Sequence, residues 1–305
     1  MVLEKIKQRI FDTIDPWIPR VSKVRPIPSW TTGYTATNKP VRRAQRWDHL
    51  QKPFTIQWFH GIKIYIYPGE EISRCLYVEG FYEPNQMCFL DSYLKPGMTV
   101  MDVGAHNGIY SLFCADKVGV SGKVLALEPS RREFEKLRLN ISINQFQNIR
   151  IFHVAAYDSE TTLDLKIAKT PHTGHNTLGN FAYQETTLDD IEAVQTSSLN
   201  QFIQTENLER VDLIKIDAEG SEMNVLRGAE NILEKFHPVL LLEIFPPALT
   251  AHGDTAADIW SFLTGKGYHF FVYDPKTGIP APVNKYPGLP HTDFIASKKI
   301  MIEAG

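Results

Sequence analysis

Four acids fall at or beside the ends of apolar runs: Asp102 in TVMDV, Glu128 after KVLAL, Asp217 after LIKI and Glu243 in VLLLEI. A carboxylate at the end of a buried strand can accept hydrogen bonds from ligand hydroxyls, pair with an ammonium, or take a hard cation. Asp102 is followed by Gly104 and Gly108, and then by Ile109, Tyr110, Leu112 and Phe113, which open a helix. Glycines let the chain turn where a Cβ would clash, so a ligand can approach the backbone. Ordinary strand-to-helix connections also carry glycines, and the second acid is what separates the two readings. Glu128 ends the next apolar run roughly 20 to 30 residues on, the spacing of an acid that accepts from both ribose hydroxyls of a nucleotide cofactor. The bland alternative for Glu128 is a surface acid before the turn at Pro129.

The turn itself discriminates among cofactors. A dinucleotide-binding turn reads G-x-G-x-x-G and lays helix amides on a pyrophosphate, whereas this chain has His106 at the place of the second glycine. S-adenosylmethionine carries no phosphate, and its charged methionine end can be oriented by Asp102 directly or through water. The methyl donor therefore fits this turn better than NAD.

Several blocks in order carry a resemblance to the FkbM family of S-adenosylmethionine-dependent methyltransferases. They are GFYEP (Gly80 to Pro84), LKPGMTVMDVGAHNGIYS, VLALEPS, HVAAYD (His153 to Asp158), VDLIKIDAEGSEMNVLRGAE (Val211 to Glu230) and PVLLLEI, spanning roughly Gly80 to Lys299. The IKIDAEG block followed by E-x-x-V-L-x-G is the most specific of them. The resemblance implies a class I Rossmann-like sheet with an antiparallel last strand and with Asp217 and Glu243 on neighbouring strands. It implies a donor site of Glu83, Asp102, Gly104, His106, Asn107, Gly108, Ser111, Glu128, Pro129, Ala155, Ala156 and Asp217. Ala155 and Ala156 would frame the adenine, and Tyr82 and Glu83 would cover the cofactor. It further implies O-methylation of a sugar or of a polyketide-like or other secondary-metabolite hydroxyl. His106 is a mild departure, because many relatives look to carry Asn there. The first sixty or so residues match no block of the family.

An alcohol is a poor nucleophile, so methyl transfer to a hydroxyl needs a general base or a metal that acidifies it. Asp217 and Glu243 are the candidates for either role, as a Mg²⁺ pair or as base and orienting group. His175, in a polar segment with His172 and Asn176, is a third candidate base, set against the plain reading of a solvated loop residue. Glu219 and Glu222 read equally well as acids in the first turn of a helix. Lys215 reads as an ion-pair partner, His153 as a core or rim residue, and His252 and His291 carry no assignment. An amino-directed nucleic-acid enzyme would show an N/D-P-P-Y/F turn where this chain has IDAEG. The alternatives kept open are an N-acceptor and a catalytically silent cofactor- or partner-binding protein.

The elements that must position these residues follow from periodicity. Strands are expected near 99–103, 123–128, 149–154, 211–217, 238–244, 268–273 and 293–298, with helices near 108–117, 130–143, 220–236 and 254–266. That alternation predicts an α/β, doubly wound, mostly parallel seven-stranded sheet. Residues 160–200 interrupt it with two strand-like runs, LDLKIA and DIEAVQ. FTIQWFHGIKIYIYP alternates and turns at His60-Gly61, which predicts a β-hairpin. The organisation expected is an arm over 1–53 with an amphipathic helix and Trp17, Trp30 and Trp47, a hairpin and linker over 54–81, and the methyltransferase domain over 82–305.

With 305 residues, 43% hydrophobic and 22% charged, the chain can bury a sizeable core. Three scattered cysteines make neither a disulfide framework nor a zinc site, and a net charge of −3 leaves no basic footprint for nucleic acid. The amino terminus lacks a signal-peptide h-region, and the longest apolar run, PVLLLEIF, is far short of a membrane span. The expected partners are a small-molecule hydroxyl substrate and a second copy of the chain through the arm, with no nucleic acid and no membrane, in a cytoplasmic setting.

Overall fold

A computed structural model describes residues 39–274, 278–288 and 292–299. Helix α1 (Lys39–Trp47) leads into a hairpin of β1 (Phe54–Gln57) and β2 (Lys63–Ile66), then α2 (Glu71–Val78) and α3 (Pro84–Tyr93). The main sheet opens with β3 (Thr99–Val103), α4 (Ile109–Val118), β4 (Lys123–Leu127), α5 (Arg131–Ser142) and β5 (Ile149–Phe152). An insertion follows, with β6 (Ala155–Ala156), β7 (Thr162–Ala168) and β8 (Leu188–Ser197). The chain returns through α6 (Gln201–Thr205), β9 (Leu213–Ile216), α7 (Glu222–Arg227), α8 (Glu230–Lys235) and β10 (Val239–Ile244). It closes with α9 (Pro246–Ala251), α10 (Ala256–Gly265), β11 (His269–Tyr273), β12 (Pro280–Val283) and β13 (Thr292–Ser297).

The main sheet has the order β12-β11-β13-β10-β9-β3-β4-β5. Strands β5, β4, β3, β9 and β10 run parallel, and β13 enters antiparallel between β10 and β11. The fold is thus α/β and doubly wound. The sheet has eight strands where the sequence predicted seven. The added one, β12, is a PAPV edge strand paired antiparallel with β11. Proline lacks an N–H and is admissible at a sheet edge, and four residues are too few for alternation to be read. Chain order reverses between β3, paired on one side with β4, and β9 on the other, so the crevice for a ligand lies beyond the carboxyl ends of these two strands.

Both faces of the sheet are covered, which is why its strands read as continuous apolar runs. Met101, Val103, Ile214, Ile216, Leu240 and Leu242 face one core, and Val100, Leu213, Val239 and Leu241 face the other. The second core also takes Trp58, Phe59, Ile64 and Ile66 from the hairpin, together with Trp47. Asn140 and Asn144 of the α5 region fix the hairpin through Oδ1 acceptors to Tyr65 N–H at 2.8 Å and Lys63 N–H at 2.7 Å.

The single helix expected over 220–236 is two. Gly228 ends α7, and its carbonyl accepts the Asn200 N–H at 2.9 Å. The Asn200 side chain in turn accepts the Ile232 N–H at 3.2 Å, so the break is stitched from outside the helix. The insertion strands form a separate three-stranded sheet, β6-β8-β7. Cys88 and Cys114 are buried and Cys75 is half-buried. Trp17, Trp30 and the amphipathic helix expected before them lie outside the described residues, as does His291.

Candidate active site

The turn after β3 gathers most of the expected donor residues. Asp102 is 1% exposed; its Oδ2 accepts the Ser111 hydroxyl at 2.5 Å, and its Oδ1 has no protein partner. Gly104 sits at φ 72°, and a Cβ there would lie 1.9 Å from the Asp217 carbonyl oxygen, so only glycine lets the turns after β3 and β9 touch. His106 is left-handed at φ 49° and donates its N–H to Glu128 Oε2 at 2.8 Å, while Ser130 N–H donates to Oε1 at 2.8 Å. Asn107 is 1% exposed, and neither atom of its side-chain amide has a protein partner. Its carbonyl accepts Asn140 Nδ2 at 2.8 Å. Gly108 caps α4, and Pro129 follows Glu128 at the start of the turn into α5.

Electrostatics reflect this burial. Burial pushes the Glu128 carboxyl up to about 8, against the pull of the Ser130 and His106 N–H donors. Burial also raises Asp102, opposed by the Lys215 ammonium and the Ser111 hydroxyl. Ala155 and Ala156 are buried in β6, which follows the carboxyl end of β5 and pairs with Thr196 and Ser197 of β8.

The other half of the crevice is a cluster of acids around the Lys215 ammonium. Lys215 Nζ lies 2.9 Å from Asp217 Oδ2 and 4.8 Å from the Tyr110 ring centroid. Burial opposes its charge, yet Asp217, Asp102 and Glu83 together hold Lys215 above its ordinary range. Tyr110 donates its hydroxyl to Glu83, a left-handed residue at φ 44° that precedes α3. Burial raises Glu83 well above the usual carboxylate range, reinforced by Asp293 and Glu243. Glu219, also left-handed at φ 47°, is raised by burial and then by Asp217 and Glu243. Glu222 holds the Ala218 and Gly220 N–H groups on Oε1, both at 3.1 Å, and burial lifts it to about 7.

Asp217 and Glu243 do fall on adjacent strands, but Glu243 stands directly opposite Asp293 of β13. Asp293 was invisible in the sequence because only the antiparallel return of the last strand puts it there. Lys215 was legible as a charge inside an apolar run, though its role as the hub of the cluster was not. Among the described residues no three His, Cys, Asp or Glu side chains are grouped so as to hold a metal ion. The Mg²⁺ pair expected at Asp217 and Glu243 therefore lacks a third ligand, and the Lys215 ammonium already supplies the counter-charge at Asp217.

His175 belongs to a ladder of rings: His172 at 5.2 Å, Tyr183 at 4.0 Å, and Phe245 a further 4.5 Å beyond Tyr183, all within 17° of parallel. Its Nδ1 lies 2.7 Å from Thr186 Oγ1. Asn176 Oδ1 accepts the Ala168 N–H at 2.9 Å, a structural bond. Thr177 donates its hydroxyl to the Glu219 carbonyl at 2.8 Å, pinning the insertion onto the turn after β9. His153 stacks on Phe134 at 4.9 Å, and His252, lowered by burial, packs over Gly179 and Gly220.

The sequence is 25% identical over 201 residues to Methyltransferase 1 of Beauveria bassiana, covering 59% of this chain and 76% of that protein. It is 28% identical over 170 residues to Methyltransferase sdnD of Sordaria araneosa, covering 47% and 64%. The crystal structure of methyltransferase FkbM from Methylobacillus flagellatus is 14% identical with a TM-score of 0.41, covering 84% of this chain and 59% of that one. The Methyltransferase FkbM domain matches residues 102–270, from the acid of the first turn to the sixth strand of the doubly wound core, and the chain belongs to the FkbM methyltransferase family.

Proposed function

We propose that the protein transfers the methyl group of S-adenosylmethionine to a hydroxyl of a small molecule, a sugar or a secondary metabolite. The observation that carries the reading is the set of buried polar atoms left without protein partners in the first turn: Asp102 Oδ1 and both amide atoms of Asn107. Such atoms are costly unless a ligand or water satisfies them. A ligand with an ammonium and a carboxylate suits an acceptor-only acid beside an amide that both donates and accepts. When bound, the donor supplies an electrophilic methyl on a sulfonium centre. Glu128, at the end of β4, accepts the ribose hydroxyls on lone pairs beyond those used by His106 and Ser130 N–H. The small side chains Ala155 and Ala156 leave space for a flat base.

On the acceptor side, a proton must leave the hydroxyl as its oxygen attacks. Asp217, whose Oδ2 is held at 2.9 Å by Lys215 Nζ, is read as the orienting group, and Glu243, level with it on the next strand, as the group that takes the proton. No step is routed through a metal. Calorimetry should show binding of S-adenosylmethionine and none of NAD; tighter NAD binding overturns the donor assignment. Labelled donor supplied with an extract of the native host should yield a small molecule methylated on oxygen. A nitrogen-methylated product overturns the acceptor, and donor binding without any labelled product leaves the silent-binding reading standing. Glu243→Gln should lose at least about a hundredfold in kcat with donor affinity kept, Asp217→Asn should lose activity, and EDTA should leave turnover intact. Full activity in both variants sinks the assignment, and loss of turnover on chelation restores a metal.

A further inference from the structure

His106 is held in a backbone conformation that side-chain-bearing residues seldom adopt, and such a residue persists only where its surroundings over-determine it. Two contacts do so. Its backbone N–H is fixed by Glu128, and its ring Nε2 lies 3.2 Å from Glu133 Oε2. The ring contact is off the line of a good hydrogen bond, so it acts through charge and packing. Glu133 is fully buried, and it is the centre of a chain of charge. Arg132 Nε reaches its Oε1 at 2.7 Å, and Lys136 Nζ reaches its Oε2 at 2.8 Å. Lys136, 7% exposed, extends at 2.5 Å to Glu70, 6% exposed, at the foot of α2. Buried ion pairs of this kind return little net stability, because desolvation offsets the attraction. Burial would raise the Glu133 carboxyl, but His106, Lys136 and Arg132 together hold it below the usual range.

We propose that Glu133 is a positioning residue for donor binding: anchored by Lys136 and Glu70, it fixes the His106 ring, and through the His106 backbone it sets the Glu128 carboxylate at the ribose. This makes Glu70, which lies before the matched family domain, part of the support of the donor site. The proposal rests on the donor reading above. It is absent from the sequence pattern because Glu70, His106 and Glu133 share no periodicity.

The test is a double-mutant cycle on the full chain with S-adenosylhomocysteine as the probe, using Glu133→Gln, His106→Ala and both together. Each single variant should raise the Kd and the donor KM about five- to twentyfold, as for one lost charge-assisted contact, with kcat within about twofold. In the His106→Ala background, Glu133→Gln should add nothing, because the effect passes through His106. Unchanged Kd in folded Glu133→Gln, or effects that simply add, overturns the proposal. If Glu133→Gln does not fold, Glu70→Gln and His106→Ala decide it: both should weaken binding, and unchanged Kd in both overturns it. A wild-type protein that does not bind the probe fails the donor reading itself, a result separable from a wild type that binds and a Glu133 variant that binds equally well.

Discussion

At the scale of single residues, Glu128 carries the most weight. Each of its oxygens is engaged by a backbone N–H, so it shapes the turn, and in the proposed function it also receives the ribose. Above about pH 8, where its carboxyl is ionised, losing it is the loss of a charge-assisted pair, about 1.5 to 3 kcal/mol, so Glu128→Ala should weaken donor affinity roughly ten- to a hundredfold by calorimetry there. Unchanged affinity in a folded variant removes it from the ribose role. Its carboxyl is raised to about 8 in the native state, so between the ordinary carboxylate range and pH 8 the folded protein holds a proton that the unfolded chain has lost. Stability from this group is therefore fully present at low pH and is lost as pH rises through about 8. Thermal melts of the unliganded protein from pH 5 to 8 should fall less steeply in Glu128→Gln than in wild type; parallel slopes refute this. The acids at strand ends were readable one by one, since each interrupts or ends an apolar run. Their partners were not: Tyr110, Asp293 and the Glu133 to Glu70 chain meet them only in three dimensions.

At the scale of elements, the break between α7 and α8 shows how space overrides propensity. Alanine at a helical φ would ordinarily favour the helix by up to about 1 kcal/mol over glycine. A Cβ at Gly228, however, would lie 2.0 Å from the Tyr157 carbonyl oxygen, and that backbone atom cannot swing aside. Gly228→Ala should thus destabilise by about 1 to 3 kcal/mol in denaturant melts; a stabilised variant shows that the contact relaxes freely. Periodicity predicted one helix where there are two, because it carries no information on what another loop will press against it. The same holds for β12, whose two prolines are explained by its edge position and not by its own pattern. The polar insertion was read as an interruption, and its role in clamping Thr177 onto Glu219 came from the fold alone.

At the scale of the whole molecule, the segment before the family domain is built into the core. Trp47 is 7% exposed, its ring 5.9 Å from that of Tyr77, and the neighbouring Arg43 donates to the Tyr77 carbonyl at 3.2 Å. Deleting residues 1–53 removes this packing and should lower stability by about 3 kcal/mol or more, the scale of losing one buried tryptophan. A homodimer through the arm is our reading of the apolar residues before it, and the same deletion should then halve the mass seen by light scattering. A truncated protein that matches the full chain in both mass and melting temperature refutes both statements. Among the described residues no helix is long and apolar enough to cross a membrane.

The sequence by itself determined the main alternation of strands and helices in the doubly wound core, the glycine turn with its two acids, and the family, because these depend on residues close together in the chain and on periods of 2 and 3.6. It also placed Asp217 and Glu243 at strand ends. Tertiary structure decided which groups they meet. The antiparallel return of β13 brings Asp293 opposite Glu243, the reversal between β3 and β9 brings Gly104 against Asp217, and burial decides which acids keep their charge. These are long-range pairings and differences in solvation, and local pattern contains neither. What ties these acids together is the ammonium of Lys215 among them, whose place depends on every strand around it.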